Sequence, residues 1–413
     1  MSITRRLFLK RTGLSALSLG FTPFFIKRAL ADAVSTPRRK VFVLIIQRGA
    51  MDGLSMLAPI AEPYYYSARS SIALPRTGDS PVIPIDSHFA LHPEMKALRP
   101  LWDEGSLAFV HQVGSPNPSR SHFDAQDFFE TGTPGEKNTQ DGFLNRALLE
   151  MAPLQKPLRA VAMQAGMPRV LQGRFPAISM DSLKDYNLHA GGSQKEFQNF
   201  SDMYQQAVDQ VFRGVGKEVF ESLKTVDGVR EANSAPEKDS LYPKAQIGRR
   251  LHEIAALIKS DVGLEVAVTD MGGWDTHINQ GNGKGQLADR LRELSEAIAA
   301  FKKDLGAKYG DVCLMTVTEF GRTVKENGTR GTDHGHGSVM MIAGGEVRGK
   351  RILGNWKTLK PENLFEGRDL PVTTDSRDVL AEILQRQLGV RDLTNIFPGF
   401  GVDPKRFVDV FRA

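Results

Sequence analysis

Lys40-Val41-Phe42-Val43-Leu44-Ile45-Ile46-Gln47 runs straight into Arg48-Gly49-Ala50-Met51-Asp52-Gly53. An apolar, β-branched run that does not alternate with polar residues is the pattern of a strand buried on both faces. The glycine-bearing segment behind it turns the chain at the strand's carboxyl end. Similar runs recur at Leu107–Val113, Leu158–Gln164, Leu264–Thr269, Val312–Thr318 and Val339–Ala343. Helical patterns lie between them, and the clearest spans Gln286 to Lys308. There Leu287, Leu291, Leu294, Ile298, Phe301 and Leu305 recur at steps of four and three, forming one apolar stripe with charges opposite. Strands alternating with such helices predict an α/β fold with a mainly parallel sheet covered on both faces. No internal repeat is present. Residues 184–239 are more polar, carry Gly191-Gly192-Ser193, and read as an insertion or cap beside the sheet.

The 413 residues are enough for a substantial core, and one cysteine, Cys313, rules out an intramolecular disulfide or a thiolate zinc cluster. Any metal must therefore rest on His, Asp and Glu. The net charge of +5 suggests a nucleic-acid partner only until its location is read. The first 33 residues hold Arg5, Arg6, Lys10, Arg11, Lys27 and Arg28 against Asp32. Taking six from the 53 basic residues and one from the 48 acidic leaves 47 of each. The remaining chain is neutral, so no nucleic-acid partner is expected.

That leader has the order of an export signal. Thr4-Arg5-Arg6-Leu7-Phe8-Leu9-Lys10 looks like a twin-arginine motif, an uncharged stretch runs from Thr12 to Ile26, and Ala31-Asp32-Ala33 is a small-x-small cleavage site. The uncharged stretch falls short of the roughly 20 apolar residues of a membrane span. The expectation is a signal peptide over 1–33, passage through the twin-arginine export machinery, and a mature chain, 34–413, working in the periplasm.

In an open α/β sheet, ligands bind beyond the carboxyl ends of the strands, so polar residues there carry weight. Asp52 follows the first strand and can reach a metal or stabilise its own turn. After the strand ending at Val113 comes Ser119-Arg120-Ser121-His122-Phe123-Asp124, where Ser119 or Ser121 can serve as a hydroxyl nucleophile or simply cap a helix. Gly273-Trp274-Asp275-Thr276-His277 offers two ligands two residues apart. The densest segment is Thr318-Glu319-Phe320-Gly321-Arg322 with Gly331-Thr332-Asp333-His334-Gly335-His336, where glycines let the backbone present neighbouring side chains to one centre. Arg322 can fork onto an oxyanion or form a structural ion pair. By the strand-end rule, His111 and His122 are the only other histidines placed to join such a site.

These segments, with Thr373-Thr374-Asp375-Ser376-Arg377-Asp378 and Phe397-Pro398-Gly399-Phe400, together resemble the exported domain-of-unknown-function family 1501 from about Lys40 onward. That family is grouped with the alkaline phosphatase and sulfatase superfamily. The resemblance implies a three-layer α/β/α sandwich with a metal-dependent site for phosphate, sulfate or phosphonate esters. It implies one ion on Asp52, Asp333 and His334 with Ser121 as nucleophile, and a second on Asp275, His277 and His336. The ions would be zinc, manganese, magnesium or calcium. Arg322 would orient the substrate's anion. Three features depart from the superfamily pattern, and one is that His336 lies two residues after His334 where the last histidine usually comes from a distant segment. Asp275 and His277 are separated by one residue rather than three, and the Cys/Ser-x-Pro-x-Arg motif of sulfatases is missing.

The leading expectation is a periplasmic metallohydrolase in which Ser121, Ser119 or a metal-activated water attacks the ester. Two other classes fit the same residues. One is a non-catalytic protein that binds a polysaccharide or an assembly partner. The other is a mononuclear iron oxidoreductase with a facial triad of two histidines and a carboxylate.

Overall fold

The computed structural model describes residues 39–151, 156, 158–184, 186, 210–232 and 241–412. The leader, and with it the expected signal peptide and cleavage site, lies outside the described residues. So does much of the expected insertion.

Strand β1 (Val41–Gln47) is buried along its whole length, as its unbroken apolar run requires. Val41, Val43 and Ile45 pack into one core, whereas Phe42, Leu44 and Ile46 pack into another on the opposite face. Two cores separated by one sheet make three layers. The other strands are the short β2 (Leu57–Ala58), β3 (Ile83–Pro84) and β4 (Ala90–Leu91), then β5 (Leu107–Gly114), β6 (Ala160–Met163), β7 (Ile178–Met180), β8 (Val266–Met271), β9 (Val312–Val317), β10 (Ser338–Gly344), β11 (Arg351–Leu353) and β12 (Thr374–Asp375). Among the described residues the main sheet runs β11-β5-β10-β9-β1-β8-β6-β7, with β12 paired to β5, while β2, β4 and β3 form a small antiparallel sheet.

The helices that matter here are α1 (Gly53–Met56), α2 (His122–Thr131), α3 (Phe143–Glu150), α4 (Gln210–Ala232), α5 (Gln246–Lys259), α6 (Gln286–Leu305) and α7 (Ser376–Arg386). Leu287, Leu291, Leu294, Ile298 and Phe301 of α6 and Leu251 and Ile254 of α5 enter the first core. Phe143 and Leu144 of α3 and Val379, Leu380 and Ile383 of α7 enter the second. Within the polar stretch, α4 sends Val226 and Val229 into the first core, so its described part covers the sheet.

One strand is reversed. β1 is parallel to β8 and β9, and β6 to β7 and β8, but β10 is antiparallel to both β9 and β5. The fold is α/β with a mainly parallel sheet, as the sequence predicts. The exception has a consequence for the site. The carboxyl ends of β1, β5, β8 and β9 share one edge, and because β10 runs the other way, the segment entering it, Gly331–Gly337, starts at that same edge.

Candidate metal centre

Four segments meet at this edge, and the packing between them is backbone against backbone. Gly335 N–H donates to Gly321 O, and Gly321 N–H to His336 O, each at 2.8 Å. A Cβ on Gly321 would lie 1.8 Å from Gly337 O, and one on Gly331 would lie 2.2 Å from His277 O. Only glycine permits so close an approach.

Beneath the segments sits Arg322, with 1% of its surface exposed. Its Nε donates to Ala50 O at 2.7 Å, Nη1 to Thr332 O at 2.9 Å, and Nη2 to Gly49 O at 2.7 Å and to the Asp275 carboxylate. Arg322 therefore ties the loops after β1 and β8 to the segment leading into β10. Expected to hold a substrate anion, it is turned inward with its donors committed.

Above it, three imidazoles converge. His122 opens α2, where Ser121 caps the helix by accepting from Asp124 N–H. Its Nε2 lies 3.0 Å from His334 Nε2, which lies 3.0 Å from His277 Nε2. Asp275 Oδ1 is 3.0 Å from His277 Nε2 and 3.2 Å from His334 Nε2, and its Oδ2 is 3.5 Å from His122 Nε2. The opposite ring nitrogens are all engaged. His122 Nδ1 is 2.8 Å from Glu319 Oε1, His277 Nδ1 is 3.2 Å from Asp333 Oδ1, and His334 Nδ1 is 3.0 Å from Arg120 O. A ring whose Nδ1–H faces a carboxylate or a carbonyl keeps its proton there and presents a lone pair at Nε2. His122, Asp275 and His334 bring their ligand atoms within 4.8 Å of one another, and His277 adjoins them through His334 and Asp275. The donor set, imidazoles with one carboxylate, suits zinc, manganese or iron and fits a bound divalent ion.

Electrostatics supports the arrangement. Burial pushes the Glu319 carboxyl up, but hydrogen bonds from His122, Gln126 and Gly49 N–H overcome this and hold its pKa at about 2. Burial likewise raises Asp275, while the hydrogen bond and charge of the Arg322 guanidinium outweigh it and hold its pKa at about 2. Both are carboxylates at neutral pH. Phe320 stacks on His122 and packs against His334, fixing both rings from the apolar side. The opposite side is open, since the side chains of Asp275, His277, His122 and His334 are between 24% and 47% exposed.

The structure thus brings Asp275, His277 and His334 together with His122, merging residues that the resemblance divides between two ions. Asp333 touches the group through His277. Asp52 does not join it. It is buried, with Oδ2 taken by Arg69 at 2.6 Å, Ser55 at 2.7 Å and Gln280 at 2.7 Å, and Oδ1 by Arg69 at 3.0 Å. Gln280 in turn accepts from Thr276 and Thr332, each at 2.8 Å, so Asp52 braces the ligand segments from beneath. His336 packs on Phe365, with ring centroids 4.5 Å apart. Ser121 is exposed at its cap, and Ser119 Oγ accepts from Ser121 N–H. Among the described residues, one group of His and Asp donors, His122, Asp275 and His334, lies within 4.8 Å.

Two supporting residues carried no assigned role in the sequence. Glu319 stands directly after a strand run, and that placement is its only signal in the sequence. Asp369 is buried and binds Arg120 and Arg368. Both arginines hold His334, one through its carbonyl and the other through Nη2 at 2.6 Å to His334 O. Glu319→Gln removes the acceptor charge that fixes the His122 tautomer, and metal affinity is expected to fall about 10- to 100-fold. Competition with a chelating dye measures it, and an unchanged affinity would refute the role given to Glu319.

No curated protein sequence matches the chain. Among solved structures it is similar to a protein in the alkaline phosphatase superfamily from Vibrio parahaemolyticus, at 10% identity and TM-score 0.34, covering 77% of this chain and 63% of that one. It is similar to the C-terminal periplasmic domain of EptC from Escherichia coli in complex with zinc, at 11% identity and TM-score 0.38, covering 90% and 86%. A sulfatase from Pseudoalteromonas is similar at 11% identity and TM-score 0.42, covering 94% and 75%. Described residues contain no helix long and apolar enough to cross a membrane. Residues 39–397 match the family described as Protein of unknown function (DUF1501), and the chain belongs to that family.

Proposed function

We propose that the protein is an exported metal-dependent hydrolase of phosphate or related esters, with a single divalent ion held by His122, His277, His334 and Asp275. The observation that carries the metal reading is the convergence of three Nε2 atoms whose Nδ1 partners are all in place. The ester class rests on the motif resemblance, and export on the leader. A divalent ion at this position supplies Lewis-acid polarisation of an ester oxygen and lowers the pKa of a water.

The protein's own groups do the rest. Glu319, Asp333 and the Arg120 carbonyl engage the three Nδ1 atoms and so turn each Nε2 toward the centre. Arg322 holds Asp275 as a carboxylate and aims it at the centre. The half-exposed face leaves room for an ester to approach, where a closed structural site would not. Ser121 Oγ caps α2 by accepting from Asp124 N–H at 3.4 Å, and the attacking group in this reading is a water.

The test is a screen of phosphate, phosphonate and sulfate monoesters and diesters with protein reloaded with zinc or manganese. Turnover that disappears on chelation and returns with metal supports the proposal. Stoichiometric metal with no turnover of any ester overturns the hydrolase assignment. A second reading, iron-dependent oxidation, is favoured by one specific feature: His122, His334 and Asp275 make up a set of two histidines and one carboxylate. Iron as the native ion, with oxygen consumption, would select it.

A further inference from the structure

Among the described residues the exposed large apolar side chains are Tyr64, Phe123, Leu149 and Ile278. Two of these four directly follow a ligand histidine. Phe123 comes after His122 and is 90% exposed, and Ile278 comes after His277 and is 60% exposed. Adjacent Cα atoms are about 3.8 Å apart, so both side chains are rooted at the border of the converging imidazoles. Neither is needed by the fold. Helix α2 packs through Ala125, Phe128 and Phe129, and the loop after β8 is anchored by the buried Trp274, whose Nε1 donates to Met271 O at 2.7 Å.

Scattered exposed apolar residues need no explanation, but a pair bordering one polar centre has the composition of a ligand site, in which apolar walls surround a few convergent polar groups. The cation can hold only an ester's anionic head. Its organic portion must then lie across the rim.

We propose that Phe123 and Ile278 form the binding surface for the organic portion of the substrate, and that this portion is apolar: an aryl or alkyl group attached to the anionic ester. This deepens the hydrolase reading and rests on it for the word substrate. The binding claim itself needs only the metal and an anion. A sugar or other polyhydroxylated group would gain less from these two side chains than an aryl or alkyl group, because neither offers a hydrogen-bonding atom for its hydroxyls.

The experiment uses metal-loaded protein and non-hydrolysable probes: methylphosphonate, butylphosphonate and phenylphosphonate, titrated calorimetrically. Wild-type protein is expected to bind phenylphosphonate and butylphosphonate about tenfold or more tighter than methylphosphonate, as burial of the extra carbon surface predicts. In Phe123→Ala/Ile278→Ala that preference is expected to shrink to about threefold or less. Both sites are exposed, so metal content and the melting transition should match wild type. Equal affinities for all three probes in the wild type would overturn the proposal, as would a preference that survives the double substitution. Failure of the hydrolase reading looks different. The aryl preference would be present and sensitive to the substitutions, yet no aryl or alkyl ester would be turned over.

Discussion

Protein carrying His334→Ala is expected to be purified folded and free of bound metal, whereas the wild type retains a stoichiometric divalent ion. His334 Nε2 lies between the other two rings, 3.0 Å from each, and 3.2 Å from Asp275 Oδ1, so its removal opens the centre of the ligand set rather than its edge. The fold should survive, because His334 lies at the open edge of the sheet and contributes to neither main core. Elemental analysis after metal loading and exhaustive buffer exchange reads the first outcome, and circular dichroism reads the second. Turnover of any ester that the wild type hydrolyses should fall to background. Full metal occupancy in the variant would remove His334 from the centre and with it the mechanism.

Asp52→Ala should behave in the opposite way, costing stability before chemistry. Removing the carboxylate strands the Arg69 guanidinium, which is fully buried and also donates to Val324 O at 2.8 Å and Thr323 O at 2.9 Å. A buried charge left without its partner costs about 3–5 kcal/mol, measurable by urea unfolding. The dependence on pH has a definite sign. Burial pushes the Asp52 carboxyl up, but the Arg69 guanidinium more than offsets this, so its folded pKa lies below the ordinary value. A lowered folded pKa gives stability that is complete above the unfolded pKa of about 3.9 and is lost as pH falls through the folded value. The gap between wild type and variant should therefore be constant near neutrality and narrow only below about pH 4. A variant of unchanged stability that releases metal would instead restore Asp52 as a ligand.

The contrast between these two residues shows how far the sequence could be read. Both are acid or imidazole groups beside glycines just beyond a strand end, and spacing cannot separate them. Asp52 is claimed by an arginine 17 positions away. His122 joins His334 from 212 positions away because β10 is reversed. The strands themselves were legible, since runs such as Val41–Gln47 and Val312–Val317 are continuous and buried on both sides. Direction was not, because a reversed strand between two others has the same apolar signature as a parallel one. The asymmetry extends to Arg322. Charge and position allowed either a substrate contact or a structural ion pair, and here the guanidinium pairs with Asp275 and donates to loop carbonyls.

The reversal of β10 also orders events in time. Its neighbours β5 and β9 are far apart in sequence, so the sheet closes only after long loops have been ordered, which is slow and entropically costly. Until then a nascent chain offers an ion only local pairs such as Asp275 and His277, too few donors to hold it against solvent. Occupancy of the centre is therefore a certificate of completed assembly. Measured during refolding, metal uptake should trail the recovery of secondary structure and coincide with the last step to the native state.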